Sequence, residues 1–78
     1  ITEDHRLRLA ALQNPTRRKI LDVLMEKPMS FEELSSQLGL PVSQVKFHSE
    51  MLKSAFYVHV EEGVVDLTPR AVHYLKYR

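Results

Sequence analysis

A mainly α-helical domain with a small β-hairpin is the fold class that this sequence predicts, and three observations predict it. Asn14-Pro15 and Thr68-Pro69 each set a capping side chain before a proline, the arrangement that opens a helix. Ser30–Ser54 reads as two helices about a glycine-containing turn. Phe56–Glu61 alternates and is β-branched, turns at Glu62-Gly63, and returns as Val64–Leu67.

Taken in order, Thr2 caps a first helix, with Glu3 and Asp4 near its positive end. Leu7, Leu9, Ala10, Ala11 and Leu12 give it more apolar surface than one contact needs, and it ends near Gln13. Asn14-Pro15 opens a second helix with Ile20, Leu21 and Leu24 as its core stripe and Val23 at the border. Lys27-Pro28 ends it, because a residue before proline is pushed out of the α region. Met29 is then free to extend as a very short strand. Ser30 and Glu33 form a capping box for the third helix, where Phe31, Leu34 and Leu38 share one face. Gly39 ends that helix left-handed, a conformation its missing Cβ permits. Pro41 suits the first turn of the fourth helix, about Val42–Ser54, with Val42, Val45 and Leu52 inward. In the hairpin, Val58 and Val60 share a face. Leu67 and Val72 can staple the last helix, whose inner face is Ala71, Val72 and Leu75. A hairpin directly after a helix-turn-helix makes this order a winged helix-turn-helix, whose second helix enters a DNA major groove.

Composition narrows the classes. At 78 residues the expectation is a single domain spanning 1–78. A chain this small buries only ~60% of its unfolded surface, and pairing with a second copy is one common remedy. Surplus apolar surface on Leu7, Ala11, Tyr74 and Tyr77 puts that pairing on the terminal helices. Hydrophobic residues are 44% and charged residues 27%, which argues against disorder. The absence of cysteine removes disulfides, thiolate zinc sites and cysteine nucleophiles, and fits a cytoplasmic protein. Net charge is +1, so any affinity for nucleic acid must come from local placement of the 11 Lys and Arg. No apolar run approaches the ~18 residues of a membrane span, and no signal-peptide pattern opens the chain. The first residue is Ile1 rather than methionine, as in a fragment or a processed form.

Four stretches carry a resemblance to a known family. Leu12–Leu21, LQNPTRRKIL, resembles the "L-x-[D/N]-P-T-R-x-x-I-L" opening of ArsR-like winged helix transcriptional regulators. Phe31-Glu32-Glu33-Leu34 with Leu38-Gly39-Leu40 resembles their "EL…LGL" helix and turn. Val45-Lys46-Phe47-His48 followed by Met51–Ala55 resembles their "V-x-x-H-L-x-x-L-x-x-A-G-L-V". Leu67-Thr68-Pro69 resembles the "LT" before their last helix. The likeness implies a homodimeric DNA-binding repressor, often one that responds to a metal ion or another small signal. Ser49 stands where the group usually has Leu, Phe56 where it usually has Gly, and the hairpin tip is acidic where the group often has Arg or Lys.

On the fourth helix, Ser43, Gln44, Lys46 and Phe47 lie away from the Val45/Leu52 face. Gln pairs with adenine, Ser serves a base or a phosphate, and Lys holds phosphate or reads guanine. Phe47 is open to two readings, a thymine methyl or packing on Met51 one turn on. Arg17, Arg18 and Lys19 oppose the macrodipole at the start of their helix. They read either as phosphate contacts or as an Arg18–Asp22 pair with the others solvated. His48 is more often a hydrogen-bonded core residue than a ligand or base. His5, His59 and His73 are dispersed without ligand spacing, so no metal or other cofactor is expected. No phosphate loop, nucleophile elbow or paired-carboxylate motif appears, and the chain reads as no enzyme. Two classes remain. One is a sequence-specific regulator on double-stranded DNA. The other is a winged helix serving as a protein-interaction module, its acidic hairpin turned to a partner.

Overall fold

A computed structural model describes residues 2–78; Ile1, on which the fragment or processed form is read, lies outside them. The described elements are α1 (Glu3–Gln13), α2 (Pro15–Leu24), β1 (Met29–Ser30), α3 (Phe31–Leu38), α4 (Val42–Ser54), β2 (Val58–Glu61), β3 (Val64–Leu67) and α5 (Pro69–Tyr77). They form the winged helix-turn-helix that the sequence predicts.

Local chemistry sets most of the boundaries. The Thr2 hydroxyl accepts from the His5 N–H at 3.1 Å, and the Asn14 side chain accepts from Thr16 N–H at 2.8 Å. Asn14 closes α1 and caps α2 at once, so the two helices meet at a corner with no linker. Ser30 and Glu33 exchange both bonds of the capping box at 3.1 Å. The bond from Ser30 N–H, with Lys27 beside it, holds the Glu33 carboxyl below the usual carboxylate range. Gly39 ends α3 with φ 65°.

Two boundaries differ from the expectation. α2 stops at Leu24, short of Lys27-Pro28. Met25 and Glu26 donate to Asp22 and Val23 in tightened final turns, which frees the chain to be extended by β1. α4 spans Val42–Ser54 as expected, with Pro41 as its N-cap, whose carbonyl accepts from Gln44 and Val45. Phe56 does not begin the strand. It has φ 62° and closes α4: its N–H donates to Lys53 and the Tyr57 N–H to Leu52, both at 2.9 Å. That pair of bonds is the Schellman closure, whose left-handed position usually holds glycine. A left-handed non-glycine residue costs about 1–2 kcal/mol. Arg70 lies over the Phe56 ring at 5.9 Å, and the Thr68 hydroxyl donates to the Phe56 carbonyl.

The hairpin is part of a three-stranded antiparallel sheet of order β1-β3-β2. Met29 pairs with Val65 and Val60 with Val65 from the other side, so their side chains share the inner face. Glu62 and Gly63 both have positive φ, 51° and 77°, the type I′ geometry that matches strand twist. The core is built from Ile20, Leu21, Leu34, Val45, Leu52 and Val65, all fully buried. Ala11 belongs to it and is not surplus surface, whereas Val72 faces out from α5 with 51% of its surface exposed. Ser49 fills the stripe between Val45 and Leu52 at 1% exposure, its hydroxyl without a partner.

Phe56→Gly is expected to be more stable than Phe56→Ala by about 1 kcal/mol, because both lose the ring and only glycine relaxes the left-handed backbone. For a domain of this size the gap is roughly 4–8 °C in thermal midpoint. Melting curves of the two variants with equal midpoints would show that Phe56 carries no backbone strain.

Candidate nucleic-acid interface

α4 buries Val45, Ser49 and Leu52 where it packs on α1, α2, α3 and β2, which leaves its opposite face in solvent. On that face Ser43, Gln44, Lys46 and Phe47 are exposed, as their spacing predicts, and so is Glu50 one turn further on. Lys46 Nζ sits 5.7 Å from the centre of the Phe31 ring at the start of α3. Phe47 keeps 59% of its surface exposed. Its ring meets that of His48 edge-on at 5.2 Å and 69°.

His48 is half-buried, and Arg17 Nη1 lies 3.2 Å from its Nδ1. A guanidinium only donates, so Nδ1 accepts and the neutral ring carries its proton on Nε2. Burial first, and the Arg17 charge second, hold the His48 pKa below its ordinary value.

Arg17 and Arg18 both have partners inside the domain. Arg17 is 8% exposed, and its remaining nitrogens are used: Nε donates to the Ala11 carbonyl and Nη2 to Ala10, each at 2.9 Å. Arg18 Nη1 donates to the Leu12 carbonyl at 2.6 Å. These carbonyls belong to the last turn of α1, where intrahelical donors run out and the dipole is negative. The cations that oppose the start of α2 therefore cap the end of α1. The Arg18–Asp22 pair does not form, since Asp22 pairs with Arg78. Lys19 is the member of the run that stays exposed, with no ion pair among the described residues. The sequence held a signal for this: Arg17 stands at i, i+3, i+4, i+7 with Ile20, Leu21 and Leu24, on the buried stripe.

Arg70 is a positioning residue that spacing could not reveal. Its Nη1 donates to Asp4 at 2.7 Å and to the Ala55 carbonyl at 3.1 Å, tying α1 to the end of α4. The bond from Arg70 lowers the Asp4 pKa. At the hairpin, Glu61 and Glu62 are exposed, and His59 faces Asp66 at 3.8 Å. No Lys or Arg occurs from Tyr57 to Pro69. Among the described residues no three His, Asp or Glu side chains are grouped to hold a metal, and no helix is long and apolar enough to cross a membrane.

The family model "Bacterial regulatory protein, arsR family" matches residues 14–60, from the cap of α2 into β2. The chain belongs to the arsR family. It is thereby a DNA-binding transcription regulator, α4 being its recognition helix and the β2–β3 hairpin its wing. Solved structures share the architecture. One is the homodimeric winged helix-turn-helix DNA-binding domain of Mb0332 from Mycobacterium bovis, a possible ArsR-family regulator. It superposes with a TM-score of 0.85 at 21% identity, over 94% of this chain and 71% of that one. HlyU from Vibrio cholerae gives 0.78 at 27%, over 94% and 85%. NolR from Sinorhizobium fredii gives 0.77 at 24%, over 95% and 79%. No relative is found among curated protein sequences.

Arg17→Met keeps the length of the side chain but leaves the Ala10 and Ala11 carbonyls without their donor. Hydrogen bonds to a charged group are worth about 1.5–3 kcal/mol each, with part recovered by water entry, so a net loss of about 2 kcal/mol is expected. Chemical denaturation measures it. A variant as stable as the parent would return Arg17 to the pool of surface cations.

Proposed function

We propose that this arsR-family protein is a sequence-specific, double-stranded DNA-binding repressor, a single winged helix-turn-helix unit that acts in the cytoplasm as a homodimer. One observation carries the reading. The side chains of Ser43, Gln44, Lys46 and Phe47 project from α4, and none makes an internal hydrogen bond or ion pair among the described residues. The opposite face of the same helix is buried. A helix so mounted presents hydrogen-bonding, cationic and apolar groups to a groove, and of its cationic group only the contact of Lys46 with the Phe31 ring has to be given up. The repressor sense rests on the likeness to the family.

Pairing through the terminal helices is supported by what they leave exposed, Leu9 at 46% on α1 and Tyr77 at 67% on α5. Mb0332 is described as homodimeric, which adds to this. Two-fold pairing places the recognition helices ~34–36 Å apart, one turn of duplex. The wing stands apart from this surface in charge. Carboxylates facing phosphates repel and release no counterions, so Glu61 and Glu62 keep the tip out of close phosphate contact. That exposed acidic tip is also what favours the second reading, a protein-interaction module.

Lys46→Ala is expected to weaken binding to all duplexes and lower the salt slope by about 1. Gln44→Ala is expected to leave non-specific binding nearly intact and relax the preference at one or two base pairs, by ~1–3 kcal/mol for a bidentate adenine contact. Isotherms at several salt concentrations, on a selected site and on scrambled duplex, separate the two. Equal loss of specific and non-specific affinity in both variants overturns the division of roles, and no loss in either leaves the interaction module. Sedimentation is expected to show dimer at tens of micromolar (roughly 6 kcal/mol of association); monomer alone there counts against the paired arrangement.

A further inference from the structure

We infer that Phe47 reads the C5 methyl group of a thymine, so that each half-site holds a thymine at a fixed offset from the base contacted by Gln44. The inference rests on the DNA-binding reading of α4 and goes beyond it by assigning what the aromatic side chain recognises.

Four observations carry it. Phe47 exposes 59% of its surface, so packing within the domain does not account for it. It lies three residues after Gln44, on the same exposed face. Its ring is braced from one side: it meets His48 edge-on at 5.2 Å, and His48 is itself held by Arg17 at 3.2 Å. Its flanking side chains cannot make the same contact, since Lys46 is drawn over Phe31 and Glu50 carries a carboxylate.

Chemistry selects the partner. A phenyl ring offers no hydrogen bond, and in the major groove the apolar group is the thymine methyl; every other base edge there presents donors and acceptors. Leaving those edges under a phenyl ring would strip their water without replacement. Three residues advance ~4.5 Å along a helix, slightly more than one ~3.4 Å base step, so the thymine lies one or two base pairs from the Gln44 contact.

Deoxyuridine tests this, because it removes the methyl and keeps Watson–Crick pairing. Starting from a duplex selected for binding by the intact protein, each thymine is replaced singly, and affinity is measured for the parent, Phe47→Ala and Phe47→Leu. One replacement per half-site is expected to weaken the parent about fourfold, the worth of one buried methyl group. The same replacement is expected to leave Phe47→Ala unchanged and to affect Phe47→Leu in between. Restoring a methyl at that position with 5-methyldeoxycytidine, paired to guanine, is expected to recover part of the loss seen with unmethylated cytidine. If the parent binds the selected duplex but no replacement matters, or if Phe47→Ala remains equally sensitive, the methyl contact is wrong while DNA binding stands. If no duplex is bound with salt dependence, the DNA-binding reading fails and the inference falls with it.

Discussion

The guanidinium of Arg17 at the end of α1 is the constraint on which the arrangement turns. Asn14 allows no linker between α1 and α2, so the last carbonyls of α1 end inside the protein rather than in water. A buried charge is tolerated only when its donors are met. Here no carboxylate meets them. The partial negative charge of a helix terminus and one neutral histidine do so instead. That choice fixes α1 against α2 and reaches α4 through His48. The recognition helix is thereby seated by hydrogen bonds at one point and by Val45 and Leu52 elsewhere along its length.

The departures from the family pattern form a second theme. Ser49 places a small polar residue where a leucine is usual and leaves a hydroxyl without a partner in the core. Phe56 occupies a left-handed position that favours glycine. Both weaken α4 locally, one at its middle and one at its end. Around Phe56 the chain supplies compensation from distant segments: the Arg70 guanidinium over the ring, and Thr68 on the carbonyl. Arg70 also holds the Ala55 carbonyl, so the end of α4 and the start of the sheet are set by the first turn of α5.

What could be read from the sequence follows the range of the interaction. Capping by Thr2, Asn14, Ser30 and Thr68, the αL closure at Gly39 and the turn at Glu62-Gly63 are decided within a few residues, and each stands where the sequence puts it. The outward set Ser43, Gln44, Lys46 and Phe47 was legible because helical period alone separates it from Val45 and Leu52. Phe56 misled because its β-propensity pointed to a strand while the closure of α4 claimed its backbone. The bonds of Arg17 and Arg18 were hidden because their acceptors lie on another helix, although the 17, 20, 21, 24 period marked Arg17 as inward. Val72 misled because a helix stripe shows which residues are together, not how far round the neighbour reaches. Contacts such as Asp4 with Arg70 leave no trace in periodicity.

The two long-range ion pairs bear on how the domain opens. Asp4 meets Arg70 and Asp22 meets Arg78, so α5 is tied near its start to α1 and at its end to α2. Both pairs are well exposed to solvent, which makes each weak as a source of stability. Their effect lies in cooperativity. Chain ends are ordinarily the first segments to fray; here α1 is held to the start of α5, and the last residue of the chain to α2. A loosening of α1 is therefore felt at the first turn of α5, whose Arg70 also holds the Ala55 carbonyl at the end of α4.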